Sequence, residues 1–252
     1  MAVQRIKLMG VPVDVCRPEE LEGALLEMLA KPGSKQIIFL SVWKFLKARK
    51  KRGDFGQCVQ SADLVLPISK SILTAAKFLK LPVPVRYNPF PATISILSAI
   101  DQHYRSLYLL GGREKTLFRA EKNVHETFPG IQIVGRFTGY YKKQLEGDIV
   151  QSIYKSSPSV ALISEGIKEQ DLWSYRRRNS FSSSIFIYYR DSFGIFSDRI
   201  RRVNEKTFEK GREIWYEVAR NPLKIFLVFP FISFILTVLW YRIFKKDTAV
   251  NA

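Results

Sequence analysis

The chain has 252 residues, of which 46% are hydrophobic, and its formal net charge is +17. This length is enough for one compact domain with an appendage. The only two cysteines, Cys16 and Cys58, exclude a disulfide-rich fold and a Cys-x-x-Cys site. The first fifteen residues contain no apolar run of the kind found in signal peptides, so we expect the domain to stay in the cytoplasm.

In chain order, apolar runs alternate with helical patterns. The first predicted helix covers residues 17–30, where Pro18 and the acidic residues after it are typical of a first turn. Buried strands are predicted at 36–41, 62–68, 106–112, 131–135, 159–164 and 183–189. Further helices are predicted at 69–80, 113–128, 144–156 and 168–178. This alternation predicts an α/β, Rossmann-like fold with a largely parallel sheet flanked by helices.

Glycines are predicted to lie at the ligand-binding edge of this sheet, which is formed by the carboxyl ends of its strands. The glycine turns there are Gly111–Gly112, Gly135 and Gly166. A glycine turn that opens a helix can bring backbone amides to a phosphate, although tight turns without a ligand use the same residues. The sequence contains neither a G-x-G-x-x-G nor a P-loop motif. We expect no cofactor and no bound metal.

Basic residues are concentrated at 44–52, 176–178 and 199–224. Such blocks fit a polyanionic partner, such as anionic lipid or a phosphorylated substrate, or else solvated helix faces. No recognition helix and no strand with interleaved aromatic residues accompanies them, so a nucleic-acid partner is not expected.

The C-terminal segment 225–241 contains seventeen residues and no charge, between Lys224 and Arg242. This length is the lower limit for crossing a bilayer, and Trp240 and Tyr241 stand where an interfacial aromatic belt would place them. The pattern predicts a membrane-associated segment that either spans the bilayer or inserts shallowly; burial in a core or a dimer interface is the alternative. The expected organisation is an α/β domain at 1–204, a basic helix at 205–222 and an apolar membrane segment at 223–246.

Several motifs, in order, resemble those of the WecG/TagA/CpsF glycosyltransferases. "LYLLGG" followed by "FPGIQIVGRFTGYY" is similar to the family's glycine-rich stretch, and "SADLVLP" to the strand before its catalytic loop. "EGIKEQDLW" retains Gly166, Gln170 and Trp173 of a second motif, with Lys168 where proline is usual. "GREIWYEVARNPLK" is similar to the family's C-terminal motif. The resemblance covers roughly residues 8–225.

This resemblance implies transfer of a sugar from a UDP-sugar to a polyprenyl-diphosphate-linked saccharide during synthesis of a cell-surface polysaccharide, teichoic acid or lipopolysaccharide. It implies a location on the cytoplasmic face of the inner (plasma) membrane, with the C-terminal segment as anchor, contacts with membrane lipid, and association into a homo-oligomer. The expected nucleotide-sugar-binding residues are Ser41, Arg86, Gly111, Gly112, Gly135, Gly166 and Gln170. The residues expected to contact the acceptor diphosphate or the membrane are Arg202, Arg220 and Lys224.

The sequence departs from the family in the motifs that carry the chemistry. Ile68 stands where the family has an aspartate proposed as catalytic base, and Trp43 stands where it has an asparagine. "VRYNP" keeps only Arg86 of a third motif, and "FGIFSDRIRRVN" keeps only Arg202 of a fourth. A positioned base contributes about a hundred- to ten-thousand-fold to a rate, and isoleucine cannot accept a proton.

A replacement base would have to come from Asp63, Glu165, Glu169 or Asp171. Glu165 is the strongest of these candidates because it lies in the loop before Gln170; an ordinary solvent-facing acid is the alternative. Asp63 and Asp171 are expected to cap helices or form salt bridges. Two hypotheses follow. The protein is a divergent membrane-associated glycosyltransferase, or it is a catalytically inactive pseudo-glycosyltransferase that binds a nucleotide-sugar or acts as a scaffold.

Overall fold

The structure is a computed structural model, and it describes residues 3–50, 53–202, 205–211 and 228–244. The strands are β1 Gln4–Leu8, β2 Val11–Val15, β3 Lys35–Leu40, β4 Leu64–Pro67, β5 Ser106–Leu110, β6 Gln132–Phe137, β7 Val160–Ile163 and β8 Ile185–Tyr188. The helices are α1 Pro18–Ala30, α2 Val42–Ala48, α3 Asp54–Gln60, α4 Lys70–Phe78, α5 Pro89–Gln102, α6 Glu114–Thr127, α7 Glu146–Ser156, α8 Asp171–Arg177, α9 Ser192–Phe196, α10 Glu205–Lys210 and α11 Phe229–Phe244.

Six strands of the described chain form one sheet in the order β4-β3-β8-β7-β5-β6, and every neighbouring pair is parallel. The prediction of an α/β fold with a largely parallel sheet is therefore confirmed. The order differs from that of the dinucleotide-binding Rossmann fold. After β4 the chain crosses over the centre of the sheet, adds β5 and β6, and then returns to fill the centre with β7 and β8.

Both faces of the sheet are covered by helices. On β3, Ile37 and Phe39 belong to one apolar cluster with α1, α5 and α6, whereas Ile38 and Leu40 belong to the opposite cluster with α2 and α4. Burial of one such side chain stabilises the fold by roughly 1.5–3 kcal/mol. Because both faces are buried, the strands are apolar at almost every position, which is why they were visible in the sequence as continuous runs.

The antiparallel hairpin of β1 and β2 was not predicted from the sequence. It packs beside β4, where the Asp14 carboxylate accepts a hydrogen bond of 2.6 Å from the Val65 backbone amide and a second from Arg5 at 2.7 Å. The Asp14 carboxylate of the hairpin thus gives a hydrogen-bond partner to the Val65 amide of β4, at the edge of the sheet. The helices α2, α3, α5 and α9 were also missed; three of them are only five to seven residues long.

The apolar C-terminal segment forms α11, which lies against α2. Phe234 and Val238 are buried, and the Phe234 ring packs edge-on against Phe45 with centroids 5.2 Å apart. In the part of the chain that the structure describes, no helix is both long and apolar enough to cross a membrane. The predicted membrane-spanning form is therefore not confirmed. Of the predicted basic helix at 205–222, only the stretch up to residue 211 lies within the described residues.

Candidate active site at the carboxyl edge of the sheet

The predicted site residues form two groups at the carboxyl edge. Ser41 and Arg86 lie beside the ends of β3 and β4, whereas Gly111, Gly112 and Gly166 lie in the loops after β5 and β7. Four inter-strand spacings separate β4 from β5, which is about 19 Å. The set predicted as one nucleotide-sugar site is therefore spread along this edge, with the end of β8 between its two groups.

Ser41 is the N-cap of α2. Its hydroxyl oxygen accepts a hydrogen bond of 3.2 Å from the Lys44 amide, and the neighbouring Ser69 hydroxyl accepts one of 3.2 Å from the Val42 amide. Such caps satisfy amides that have no partner inside the helix. In this structure Ser41 orders the loop after β3.

Ile68 lies at the carboxyl end of β4, in the position where the family resemblance places the base. Its amide donates to the Leu40 carbonyl at 3.0 Å, and its carbonyl accepts from Arg86 Nε at 2.9 Å. The isoleucine side chain is partly buried against the main apolar cluster. This corner of the edge therefore presents an aliphatic side chain where proton transfer would need a carboxylate.

Arg86 is covered by α10. Its guanidinium carbon lies 3.7 Å from the centre of the Phe208 ring, and its Nη1 donates to the Phe208 carbonyl. Lys70 Nζ donates to the next carbonyl, that of Glu209, at 3.4 Å. A diphosphate that binds Arg86 must therefore displace Phe208 or share the guanidinium with it.

The glycines at the other end of the edge hold three loops together. The Gly112 amide donates to the Glu165 carbonyl at 2.7 Å, the Gly139 amide to the Gly112 carbonyl at 2.8 Å, and the Tyr140 amide to the Gly166 carbonyl at 3.0 Å. A Cβ atom on Gly139 would lie only 2.6 Å from the Glu165 carbonyl oxygen. The absence of side chains thus allows close approach of the loops after β5, β6 and β7.

The amides proposed for phosphate binding already have backbone partners. The Gly112 amide donates as described above, and the Gly111 amide donates to the Phe137 carbonyl at 2.9 Å. The assignment of both glycines to ligand binding stays a prediction, and it requires these hydrogen bonds to be exchanged. Gly135 does not lie in a turn, contrary to our expectation, because β6 continues to Phe137. A Cβ atom on Gly135 would overlap the Tyr108 ring, so this glycine serves strand packing.

Glu165, the candidate base, forms an ion pair with Arg199. Its side chain is only 14% exposed, so it is not an ordinary solvent-facing loop acid. The hydrogen bond to Glu165 raises the pKa of the Arg199 guanidinium, and the charge of Asp191 acts in the same direction. These three charged groups therefore lie together at the ends of β7 and β8, near the middle of the edge.

Asp191 is the functional candidate that sequence reasoning missed. It is the N-cap residue of α9, three positions after the last residue of β8. The carbonyl of the neighbouring Arg190 accepts hydrogen bonds from the Glu165 amide at 3.1 Å and the Ser164 hydroxyl at 2.8 Å. The available signal was its position, since it is the first acid after the last predicted strand. Asp63, by contrast, accepts from the Gln36 amide at the amino end of β3, far from this edge.

Gln170 is exposed and is the N-cap residue of α8, with a backbone φ of 53°. The helix after it is fixed by Trp173, whose indole donates to the Tyr141 hydroxyl at 2.8 Å and to Glu146 at 3.1 Å. Partial burial alone would raise the pKa of Glu169, but hydrogen bonds from Arg177 and Arg176 outweigh it and hold that pKa below its ordinary value. Together these contacts join α8 to the loop after β6.

Asp171 has a structural role, as expected. Its buried carboxylate lies 2.7 Å from Lys44 Nζ, and among the described residues neither of its oxygens accepts a well-aligned hydrogen bond. The exposed Arg202 guanidinium lies 5.4 Å from the centre of the Phe90 ring. Arg220 and Lys224, the other two residues predicted to contact the acceptor diphosphate or the membrane, lie outside the described residues.

A cavity of about 580 Å³ opens at the N-terminus of α6. It is lined by Arg113, Glu114, Thr138, Gly139 and Tyr140. The Tyr140 ring is 59% exposed, and the Arg113 guanidinium lies 5.8 Å from its centre. The cavity therefore combines an accessible aromatic ring with a positive charge.

Comparison with known proteins relates the whole chain to one family. The sequence model of the glycosyl transferase WecG/TagA/CpsF family matches residues 6–248. A protein of Bacillus spizizenii named N-acetylglucosaminyldiphosphoundecaprenol N-acetyl-beta-D-mannosaminyltransferase is 25% identical over 166 residues, covering 66% of this chain and 64% of the relative. A protein of the same name from Bacillus subtilis is 18% identical over 172 residues, covering 68% and 66%. The chain thus spans slightly less than two thirds of the length of both relatives.

Proposed function

Because the chain belongs to the WecG/TagA/CpsF glycosyltransferase family, we propose that it transfers a sugar from a UDP-sugar to a saccharide linked through a diphosphate to a polyprenyl lipid. The family match over residues 6–248 is the observation that carries this proposal. The names of both relatives, whose acceptor is a diphosphoundecaprenol-linked N-acetylglucosamine, support the acceptor class. The product would enter a cell-surface polysaccharide, teichoic acid or lipopolysaccharide.

The donor nucleotide binds in the cavity at the N-terminus of α6. The exposed Tyr140 ring offers a stacking surface for a base, and Arg113 offers a charge for the diphosphate. Gln170 and Gly166 lie in the adjoining loop, which hydrogen-bonds to Tyr140. Arg86, which the family resemblance assigned to the nucleotide-sugar, lies at the other end of the edge from this cavity. In this proposal its planar guanidinium therefore binds the acceptor diphosphate instead.

The chemical step requires that the acceptor hydroxyl lose its proton as its oxygen attacks the anomeric carbon and UDP leaves. Ile68 supplies no base for that proton. Glu165 and Asp191 are the carboxylates at the ends of β7 and β8, between the two proposed binding regions. In this mechanism Glu165 accepts the proton, and Arg199 stays beside it to balance the charge of the leaving diphosphate.

A second candidate function is a catalytically inactive relative that binds a nucleotide-sugar or serves as a scaffold at the membrane. Two observations favour it. Ile68 occupies the base position, and Phe208 covers the guanidinium of Arg86. In either case we place the protein on the cytoplasmic face of the membrane, attached through its C-terminal segment. The glycosyltransferase would meet its lipid-linked acceptor there, and the inactive relative would act at the same surface.

Calorimetry with UDP-sugars, followed by a transfer assay on a short-chain lipid-diphosphate saccharide, tests both candidates. Binding with transfer supports the glycosyltransferase, and binding without transfer supports the inactive relative. Absence of both binding and transfer would contradict the proposed site. Arg113→Ala should weaken binding, whereas Arg119→Ala, which removes an exposed arginine from the middle of α6, should not.

A further inference from the structure

Gln170 has a backbone conformation that glutamine rarely adopts. Its dihedral angles are φ 53° and ψ −125°, and the Leu172 amide donates to the Glu169 carbonyl at 3.0 Å across it. These angles and this hydrogen bond make Gln170 the second residue of a type II′ β-turn, a position that strongly favours glycine. Any other residue strains the backbone there. Such strain persists only where the surrounding structure holds the residue in place, and it is concentrated at functional sites.

The next residue, Asp171, is held at both its backbone and its side chain. Its carbonyl accepts hydrogen bonds from Gln36 Nε2 at 2.8 Å and from the Ser174 hydroxyl at 3.2 Å. Its carboxylate, which has no exposed surface, lies 2.7 Å from Lys44 Nζ. We call Gln36, Lys44 and Asp171 the clamp. Because the clamp fixes Asp171 at two points, it also fixes the turn that ends at this residue.

The clamp contains a buried pair of charges. Among the described residues, no well-aligned hydrogen bond reaches either carboxylate oxygen of Asp171, and its ion pair is with Lys44. The Lys44 ammonium also lies over the Tyr188 ring at the end of β8, 5.5 Å from its centre. Removal of a carboxylate from water is costly, and a single ion pair seldom offsets that cost. An apolar pair would serve stability as well, so the charges indicate a requirement for a defined geometry.

The clamp joins two parts of the carboxyl edge that are distant in the sequence. Gln36 belongs to β3 and Lys44 to α2, and Ser41 lies between them in the chain. Gln170 stands at the start of α8, after β7. The clamp therefore fixes the Gln170 turn relative to the loop that Ser41 orders, across the position of β8 in the sheet.

We propose that Asp171 is a positioning residue of the donor site, an inference that rests on the proposed function. The clamp keeps the turn in its strained form, and the exposed Gln170 amide is thereby ordered before the donor binds. An amide side chain donates and accepts hydrogen bonds, which suits the hydroxyl and phosphate groups of a nucleotide-sugar. Preorganisation raises affinity because the ligand does not have to order the loop. Glycine would fit the turn but would bring no amide.

Gln170→Gly tests whether the side chain serves binding at the expense of stability. Glycine adopts a φ of 53° without strain, so the melting temperature should rise. The affinity for UDP-N-acetylmannosamine, measured by calorimetry, should fall roughly two- to tenfold, as expected for one lost hydrogen bond. A lower melting temperature with unchanged affinity would assign Gln170 a purely structural role and overturn the proposal.

Asp171→Asn tests the clamp, because it removes the charge that faces Lys44. The affinity for the same nucleotide-sugar should again fall roughly two- to tenfold. Asp171→Asn/Gln170→Gly should bind no more weakly than Gln170→Gly alone, since both changes act through one amide. Asp14→Asn is the matched control: it removes another buried carboxylate with an arginine partner, in the hairpin beside β4. This control should lower the melting temperature without changing the affinity.

Three results would overturn the proposal. They are unchanged affinity of Asp171→Asn, additive losses in the double variant, and an equal loss of affinity in Asp14→Asn. If Asp171→Asn fails to fold, Lys44→Met/Asp171→Leu replaces the ion pair by apolar side chains of similar size, an exchange that buried pairs often tolerate. It should bind the donor as weakly as Gln170→Gly. Wild-type affinity would show that packing alone holds the turn, and would likewise overturn the proposal.

Hydrogen exchange tests the clamp without any ligand. The Leu172 amide closes the turn, and it should exchange at least about tenfold faster in Asp171→Asn than in the wild type. In Asp14→Asn its exchange should be unchanged. Equal exchange in Asp171→Asn and the wild type would overturn the proposal. A wild type that binds no UDP-N-acetylmannosamine would instead contradict the proposed function, so the two proposals can fail separately.

Discussion

The guanidinium of Arg86 is stacked on the ring of Phe208 at 3.7 Å, and it also donates to the carbonyl of that same residue. The two residues are 122 positions apart in the chain. Through this contact the segment after the α/β domain covers the arginine that we propose as the binding group for the acceptor diphosphate. Docking of α10 and binding of a diphosphate at Arg86 are therefore coupled.

Phe208→Ala should tighten binding of a lipid-free diphosphate at Arg86. A cation–π contact contributes about 0.5–2 kcal/mol, so its loss should increase the affinity roughly two- to thirtyfold, as measured by calorimetry. Phe118→Ala removes a comparable stacking partner, that of Arg136, on α6 and should leave the affinity unchanged. Weaker binding by Phe208→Ala would mean that α10 completes the site instead of covering it.

Glu165→Gln should reduce sugar transfer by about a hundred- to ten-thousand-fold if Glu165 is the base. Asp191→Asn is the matched comparison, because Asp191 is the second carboxylate at this position of the edge. Initial rates and UDP-sugar affinity should be measured for both variants. A large loss only in Asp191→Asn would transfer the role to Asp191, and normal rates in both variants would exclude the two residues.

Ile68→Asp should raise a slow transfer rate, since it restores a carboxylate at the end of β4. The partly buried position should raise the pKa of the new carboxyl, so the gain should grow toward higher pH. Ile68→Asn keeps a similar shape without a base and serves as the control. If Glu165 already acts as the base, Ile68→Asp will change the rate little.

Gly139→Ala should destabilise the domain by about 1–3 kcal/mol, because the new Cβ would meet the Glu165 carbonyl oxygen. Gly147→Ala is the matched control: nothing lies within 4 Å of its Cβ position in α7, and alanine favours a helix by up to about 1 kcal/mol. Thermal unfolding of both variants checks the prediction. Equal stability of Gly139→Ala and the wild type would mean that the three loops are not tightly joined.

Glu169→Gln should lower stability in a pH-dependent manner. The folded-state pKa of Glu169 is lowered, so its stabilising contribution is present above the unfolded-state value of about 4.3 and is lost as the pH falls through the lowered pKa. The difference from the wild type should therefore be full at neutral pH and disappear in acid. Glu126→Gln, which affects only an exposed pair with Lys122, should show little difference at any pH.

Much of the fold was visible in the sequence because buried parallel strands appear as apolar runs. In the helices between them, apolar residues recur about every 3.6 positions. This holds for the runs that became β3, β5 and β7, and for α6. The hairpin of β1 and β2 was missed because each strand is only five residues long. The alternation of exposed and buried residues in β1 is too short to stand out, and β2 is buried at its first four positions. Gly135 was misplaced because a glycine inside a strand and a glycine in a turn look the same in sequence.

The sequence by itself determined the α/β class, the order of the motifs, and the replacement of a carboxylate by Ile68. Only the tertiary structure decided which side chains share the carboxyl edge. Strands that are buried on both faces carry the same pattern in any spatial order, so periodicity cannot reveal that β8 and β7 lie between β3 and β5. For that reason the pairing of Glu165 with Arg199, the covering of Arg86 by Phe208 and the seating of α11 on α2 all depended on packing between distant parts of the chain.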